Sequence, residues 1–219
     1  MESLLDIYSK ILQPALIETF SMVVQSTLYS ILLGFIPAII LVVTNPKGLR
    51  PQRTVYRVLD FVINILRSFP FLILMICLIP FTRVIVGTSI GTAAAIVPLS
   101  IGAAPFAARV IESSLMEVDN GVIEAAKSFG ASNTQIIFKV MLKEALPSIV
   151  QGITLTLISI VGYSAMAGTI GGGGLGNVAM KYGYYRYETD IMIYTVVLLI
   201  IMVQIFQTIG NLIYKKLTK

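Results

Sequence analysis

Histidine and tryptophan are absent from this 219-residue chain, and cysteine occurs once, at Cys77. The lack of histidine and of a second cysteine nearly excludes zinc sites and Ser-His or Cys-His catalytic pairs, because both depend on these side chains. A disulfide within the chain is excluded for the same reason. Cys77 lies in an apolar run, so we interpret it as a small buried hydrophobic side chain rather than a reactive thiol.

Charge is also scarce: 12% of the residues are charged and 56% are hydrophobic, with a mean hydropathy of +0.88. Soluble domains average about 25% charged residues. Four uncharged stretches are longer than a bilayer-spanning helix of about 20 residues; they are 19–46, 84–108, 145–180 and 191–214. A fifth, 68–82, reaches that length only when it is extended back through Arg67. We therefore predict an all-α, polytopic membrane protein with five transmembrane helices, at about 20–43, 59–80, 88–110, 148–169 and 191–213.

The segment before the first predicted span, residues 1–18, has apolar side chains at helical spacing. These side chains are Leu4, Leu5, Tyr8, Ile11 and Leu12. Pro14 is predicted to break or bend the pattern. We expect an amphipathic helix at the membrane surface here, followed by a transmembrane domain over 19–213 and a basic tail over 214–219.

The distribution of lysine and arginine predicts the orientation of the spans. Alternate connecting segments hold eleven of the 16 basic residues, and the other segments hold four, with Arg67 inside a span. The basic-rich segments are expected on the cytoplasmic side. The N-terminus then faces outward, the C-terminus lies in the cytoplasm, and residues 111–147 form a cytoplasmic loop.

This loop is predicted to contain two short helices. Asp119 or Asn120 can cap the first, and Gly130 suits its C-terminal end because glycine tolerates the left-handed conformation. Ser132 and Gln135 have the spacing of a capping box that begins the second helix. Each helix carries an apolar stripe: Val122, Ala126 and Phe129 on the first, and Ile136, Ile137, Val140 and Met141 on the second. The pattern fits a loop that folds back on the spans as well as a rigid knob that binds a cytoplasmic partner.

The stretch EAAKSFGASNTQIIFKVML, residues 124–142, resembles the EAA motif of ABC-transporter permeases: Glu-Ala-Ala, three residues, Gly, nine residues and Ile-x-Leu-Pro. Lys143 replaces the proline. The matching positions are Glu124, Ala125, Ala126 and Gly130, with Val140 and Leu142 in the Ile and Leu places. The stretches RSFPFLILMICLIPFTR and AGTIGGGGLGNVAMKYGYYRYETDIM, with the charged tail, are similar to the methionine-import permeases of bacteria.

The resemblance implies the type I importer fold, a location in the bacterial plasma membrane, and the role of membrane subunit in an ATP-driven importer of L- or D-methionine. Two permease copies would pair around a central pathway, with a cytoplasmic ATPase dimer and an extracytoplasmic substrate-binding protein as partners. The ATPase would bind ATP and Mg, so this chain is expected to hold no cofactor, metal or catalytic residue and not to be an enzyme. The residues implied in coupling to the ATPase are Glu124, Ala125, Ala126, Phe129 and Gly130.

Small and polar side chains within the third and fourth spans predict a substrate pathway, because lipid-facing positions have no need of them. Close helix packing explains each single position at least as well. The candidates are Ser100, Ala104, Thr156, Ser159, Tyr163 and Met166. We interpret the run Gly171, Gly172, Gly173 and Gly174 as a flexible outer turn and a candidate outer gate. It is not a phosphate-binding loop, because no Lys followed by Ser or Thr comes after its last glycine.

Arg67 is the one charge expected at depth in the membrane. It could extend toward the interface and pair with Asp60, about two helical turns away. It could instead bind a substrate carboxylate. The sequence leaves both interpretations open.

Other functions are less well supported. An ion-coupled secondary transporter would show intramembrane carboxylates and inverted repeats, whereas Asp60 and Glu112 lie near span ends. A membrane enzyme would need the catalytic groups that are missing. An ABC permease for another small solute stays an alternative, and so does pairing with a paralogue instead of a second copy.

Overall fold

A computed structural model describes residues 7–218, and every regular element in that range is helical. In chain order the helices are α1 (Tyr8–Thr44), α2 (Arg53–Ser68), α3 (Phe71–Cys77), α4 (Ile79–Val86), α5 (Thr92–Met116), α6 (Asn120–Ser128), α7 (133–144), α8 (Leu146–Thr169), α9 (Gly174–Val178) and α10 (Thr189–Leu217). The first turn of α1 and the middle of α7 are π-helical, and α9 continues as a π-helical stretch, Ala179–Tyr184. Two members of the predicted N-terminal stripe, Leu4 and Leu5, and the last tail residue lie outside the described residues.

Within residues 7–218, four helices are long and apolar enough to cross a membrane: α1, α5, α8 and α10. The helices α2 and α3 qualify as a fifth span only together, as a pair bent by 99°. The predicted number of five spans agrees with the structure when this pair is taken as one crossing. The prediction of one continuous helix over 59–80 is wrong.

The break between α2 and α3 is caused by Pro70. Proline lacks an N–H and disfavours the helical conformation in the residue before it, so Phe69 is extended, with φ −70° and ψ 126°. Backbone outside regular helix is tolerated at membrane depth only where protein or a water-filled cavity surrounds it.

Cys77, at the end of α3, is exposed on the protomer surface, so its interpretation as a buried side chain is wrong.

Pro14 does not break the first helix, so of the predicted break or bend the break is absent. The π-helical turn ends with the Gln13 N–H donating to the Tyr8 carbonyl, and Pro14 occupies the first turn of the α-helical part. Pro14 thus lies inside a continuous helix, directly after the π-helical turn. Leu12 and Ala15 are buried against the rest of the bundle, so these turns extend the first span.

Two apolar cores hold the bundle together, one near each end. The first surrounds Met22, Leu99 and Leu175, and the second surrounds Leu41, Ile111 and Ile136; all six side chains are fully or almost fully buried. Small residues allow the helix backbones to come close. A Cβ at Gly34 of α1 would lie 2.7 Å from the Ala104 carbonyl oxygen of α5, as is typical of membrane helix crossings.

We refer to the end of the bundle that contains 45–52 and 117–145 as the basal end, and to the end that contains 87–91 and 170–173 as the apical end. At the apical end the Gly91 N–H donates to the Gly171 carbonyl, at 2.8 Å. At the basal end α5 runs to Met116, six residues beyond the predicted end of the third span. The predicted loop 111–147 therefore begins with a turn and a half of this helix.

Candidate functional site

The helix α6 is closed at both ends by local hydrogen bonds. The Asp119 side chain accepts from the Gly121 N–H at 2.7 Å, which confirms Asp119 as the N-cap. At the other end Gly130 has a φ of +80°, and the N–H of Gly130 and that of Ala131 donate to the carbonyls of Lys127 and Ala126. This Schellman arrangement confirms the predicted role of Gly130. The helix is short, but its conformation is well specified.

The helix α7 folds back on the spans. Its predicted capping box is present: the Ser132 N–H donates to the Gln135 side chain at 2.8 Å, and the Gln135 N–H donates to the Ser132 hydroxyl at 3.3 Å. Ile136, Ile137 and Met141 are buried in the basal core. The interpretation of the loop as a segment packed on its own spans therefore holds for its second half.

The helix α6 instead presents its side chains outward, and none of its residues is buried. Glu124 and Ala125 are exposed, Ala126 is half-buried, and the Phe129 ring that follows the helix is 92% exposed. Of the predicted stripe, Ala126 packs on the basal core, whereas Val122 and Phe129 are exposed. Ile123 packs there in place of Val122.

An exposed phenylalanine ring near a carboxylate and two small residues forms a surface that is suited to contact with another protein. Exposed aromatic rings are enriched at the centres of protein interfaces, and alanine allows close approach. We call the residues Glu124, Ala125, Ala126 and Phe129 the knob. Of the predicted coupling residues, Glu124, Ala125 and Phe129 are exposed, Ala126 packs on the basal core, and Gly130 forms the turn that ends the helix.

Polar contacts join the segment carrying the knob to two spans. The Ser148 hydroxyl, in the first turn of α8, lies 3.0 Å from the Ser114 hydroxyl of α5 and donates to the Glu117 carboxylate at 2.9 Å. A cavity of about 300 Å³ lies beside α6, and Lys47, Glu124 and Lys127 are among its lining residues. The Ser148 contacts hold the basal ends of α5 and α8 together directly before α6 begins.

A second polar cluster joins α2 to α5. The Arg109 guanidinium donates to Asp60 at 2.5 Å, to Glu112 at 2.7 Å and to Asn64 at 3.1 Å. The Tyr56 hydroxyl lies 3.5 Å from the Glu112 carboxylate. Glu112 is 4% exposed, so its charge is compensated inside the protein rather than by water.

Within 7–218 no three acidic or cysteine side chains are grouped so as to hold a metal ion.

Sequence reasoning missed this cluster, which we call the Arg109 cluster. The expected partnership of Asp60 with Arg67 is wrong, because Asp60 faces α5 and binds Arg109. The sequence did contain one indication of an ion pair here, since Arg109 and Glu112 lie three residues apart on one predicted helix. The pairing with Asp60 joins positions 49 residues apart and needed the tertiary structure.

The predicted pathway residues fall into two groups. Ser100 and Thr156 are buried inside the protomer, and their hydroxyls donate to carbonyls of their own helices at 2.6 and 2.8 Å. This burial favours the packing interpretation for both, and the backbone of Ala104 likewise packs against Gly34. The second group, on α8, is partly exposed: Ser159, Tyr163 and Met166. These three can face a path shared with another subunit.

The structure brings Tyr163 next to Arg67, a proximity that the sequence did not indicate. The Tyr163 ring stacks on the Phe71 ring of α3 with the centroids 4.5 Å apart. Arg67, Phe71 and Tyr163 line a common cavity of about 160 Å³ at the break between α2 and α3.

The glycine run at the apical end is tightly packed, so the expectation of a flexible turn is wrong. The Gly174 N–H donates to the Glu18 carboxylate at 2.7 Å, and the Leu175 N–H donates to the Thr19 hydroxyl at 2.8 Å. Gly171, Gly173 and Gly174 have positive φ angles of 88°, 80° and 71°. Glycine is required here for the backbone conformation. A role of this turn as a gate stays a prediction.

Taken together, the long apolar helices and a capped surface helix inserted between two of them define a polytopic membrane protein with the architecture of a transport permease. Comparison with known families agrees. The family described as "Binding-protein-dependent transport system inner membrane component" matches residues 30–219, and the chain belongs to this family.

Similar proteins and a solved structure narrow the relationship. The probable D-methionine transport system permease protein MetI of Vibrio cholerae is 52% identical over 208 residues, which cover 95% of this chain and 92% of the relative. The methionine import system permease protein MetP of Bacillus subtilis is 48% identical over 174 residues, which cover 80% of this chain and 78% of MetP. A chain of the MetNI methionine ABC transporter, solved in an inward-facing conformation, is 44% identical and superposes with a TM-score of 0.95 over 100% of both chains.

Proposed function

We propose that this chain is the membrane-spanning permease subunit of an ATP-binding-cassette importer and that its substrate is methionine, in the L or D form. The observation that carries the proposal is the knob on α6: a capped, exposed helix that begins four residues after one span and is joined by α7 to the next. The methionine permeases with 48–52% identity and the MetNI chain support the substrate.

The knob is the docking element for a separate ATPase. Phe129 would insert into an apolar groove of that subunit, and Ala125 and Ala126 would allow the helix to lie close to its surface. Rigid-body motion of the ATPase would then move α6, and Ile123 and Ala126 would pass this motion to the basal core, where Ser148, Ser114 and Glu117 hold α5 and α8 together.

This chain would supply no nucleotide chemistry. ATP and Mg would be bound by the partner ATPase. The packing of Gly171–Gly174 around Glu18 and Thr19 supports this view, because the amides of Gly174 and Leu175 are already used within the protein. An anion-binding loop needs free amides.

The assembly that we propose contains two copies of this permease, a dimer of the ATPase and an extracytoplasmic binding protein. The partly exposed side chains of Ser159, Tyr163 and Met166 support a pathway between two permease copies. The basal end would face the cytoplasm, since it carries most of the basic residues. The N-terminus would lie outside and the C-terminus inside, in the plasma membrane of a bacterium.

One experiment tests both the substrate and the coupling. Uptake of labelled methionine is measured in a strain that lacks this gene and carries the wild-type chain, Phe129→Ala or Tyr187→Ala. Because an exposed aromatic anchor typically contributes about 2 kcal/mol or more to an interface, we expect Phe129→Ala to lower uptake at least about tenfold and to weaken co-purification of the ATPase.

Tyr187→Ala is the matched control: its ring is 86% exposed, at the other end of the bundle, and the ATPase should still co-purify. If cells with the wild-type chain take up a different amino acid but not methionine, the chain is an importer subunit and the proposed substrate is refuted. A permease that drives uptake in liposomes without an ATPase would refute the importer.

A further inference from the structure

We propose that the cavity at the break between α2 and α3 binds the carboxylate end of an amino acid in transit, with Arg67 as its anion-binding residue and with Phe71 and Tyr163 against its side chain. This inference deepens the proposed function and rests on it. It assigns a substrate contact within the membrane subunit itself.

Arg67 lies at the end of α2 that is farthest from the basal end. The helix α2 begins with Arg53, and Arg67 lies about 21 Å further along its axis at 1.5 Å per residue. The hydrocarbon core is about 30 Å thick. Immediately after Arg67 the chain leaves helical geometry at Phe69 and Pro70 and turns by 99°. Broken helices at this depth typically line substrate sites in transporters.

The charge of Arg67 has no partner in the part of the chain that the structure describes. The side chain is exposed, and its guanidinium makes no ion pair or hydrogen bond within 7–218; Asp60, about two helical turns away, binds Arg109 instead. A charged side chain at a helix centre in the membrane is unfavourable by about 2.5–3.5 kcal/mol. An unpaired guanidinium beside a cavity is therefore a site for an anion that arrives from elsewhere.

The other walls of the cavity are apolar and firmly positioned. The Phe71 and Tyr163 rings are stacked within 15° of parallel. A Cβ at position 102 of α5 would lie 3.2 Å from two Phe71 ring atoms and 3.3 Å from Leu74, so the glycine there leaves the room that Phe71 occupies. Leu74 and Phe106 complete the apolar side.

The size and chemistry of the cavity select a class of ligand. Its volume of about 160 Å³ is below the roughly 300–1,000 Å³ of sites for drug-sized ligands, which favours a molecule the size of an amino acid. A guanidinium binds a carboxylate through two parallel hydrogen bonds, and aromatic faces accept an apolar side chain. An amino acid with an apolar side chain combines both groups.

The test uses the complete complex of permease, ATPase and binding protein in lipid nanodiscs. A diazirine analogue of methionine is irradiated during ATP-driven turnover, and the labelled peptides are identified by mass spectrometry. We expect label on residues 69–74 and on Tyr163. Arg67→Gln should reduce this label at least tenfold, and Arg67→Lys should restore part of it. Methionine should compete, whereas methioninol, which lacks the carboxylate, should not.

Arg57→Gln is the matched control, since it removes an exposed arginine from the same helix and should leave the labelling unchanged. Co-elution with the ATPase and retained ATP hydrolysis show that each variant is assembled. Label confined to other segments, or equal label in Arg67→Gln and the wild type, would overturn the inference while leaving methionine import intact. Absence of ATP-driven methionine uptake by the wild-type complex would overturn the proposed function and this inference with it.

Discussion

At the scale of single residues, glycines are needed for two different reasons. Some adopt a positive φ angle, and others allow two backbones to come close. Gly130 is needed for its positive φ, since a Cβ at this position would have no other atom within 4 Å. Gly168 has no such φ, but a Cβ there would overlap the backbone nitrogen of Asn177. The sequence indicated the first role from cap spacing. It could not indicate the second, because the clash involves backbone atoms brought together by the turn at the apical end.

We predict that Gly168→Ala destabilises the complex, because α8 and α9 must separate to admit the methyl group. Overpacking of this kind is unfavourable by about 1–3 kcal/mol. Gly162→Ala, six residues earlier on the same helix, is the control, since nothing lies within 4 Å of its Cβ position. Thermal denaturation of the purified complex should show a lower Tm for Gly168→Ala only. An unchanged Tm would mean that the close approach is absent.

At the scale of helices, polar contacts decide which elements move together. The Arg109 cluster joins the broken helix α2 to α5, and the Ser148 contacts join α5 to α8. Hydrophobic periodicity located the helices but not these connections. A charged side chain near the end of a span can contact water, lipid headgroups or a buried partner, and periodicity does not distinguish the three. The observed burial of Glu112 excludes the first two for that side chain.

We predict that Arg109→Leu is strongly destabilising, by about 3–5 kcal/mol, because it leaves the buried Glu112 charge unpaired. The double variant Arg109→Leu with Glu112→Leu should recover much of that loss, since it leaves no uncompensated charge at Glu112. The free energy of unfolding is compared across the single and double variants in a cycle. Additive effects would show that the two side chains do not interact.

At the scale of the whole molecule, the two ends of the bundle carry the features that suit them to different partners. The knob occupies the basal end, and the docked glycine turn and the tyrosine-rich segment after α9 occupy the apical end. With one intervening bilayer, the two ends must face opposite compartments. The proposed orientation assigns the basal end to the cytoplasm.

We predict opposite labelling of single cysteines introduced at Phe129 and Tyr187, whose side chains are 92% and 86% exposed. In a Cys77→Ser background, a membrane-impermeant maleimide added to intact cells should label Tyr187→Cys and not Phe129→Cys. After the cells are opened, both should react. Labelling of Phe129→Cys in intact cells would show that the topology is the reverse of the proposed one and that the knob cannot contact a cytoplasmic ATPase.

The sequence alone determined the helical membrane class and the caps of α6 and α7. Hydropathy depends on about 20 consecutive residues and a cap on four or five, so both are local properties of the chain. Only the tertiary structure decided that Phe129 points outward, that Asp60 binds Arg109, and that Arg67 and Tyr163 share a cavity. It also showed the glycine run docked on Glu18, a contact across 156 residues. Such contacts depend on how the helices pack against each other, and similar local patterns are compatible with many packings.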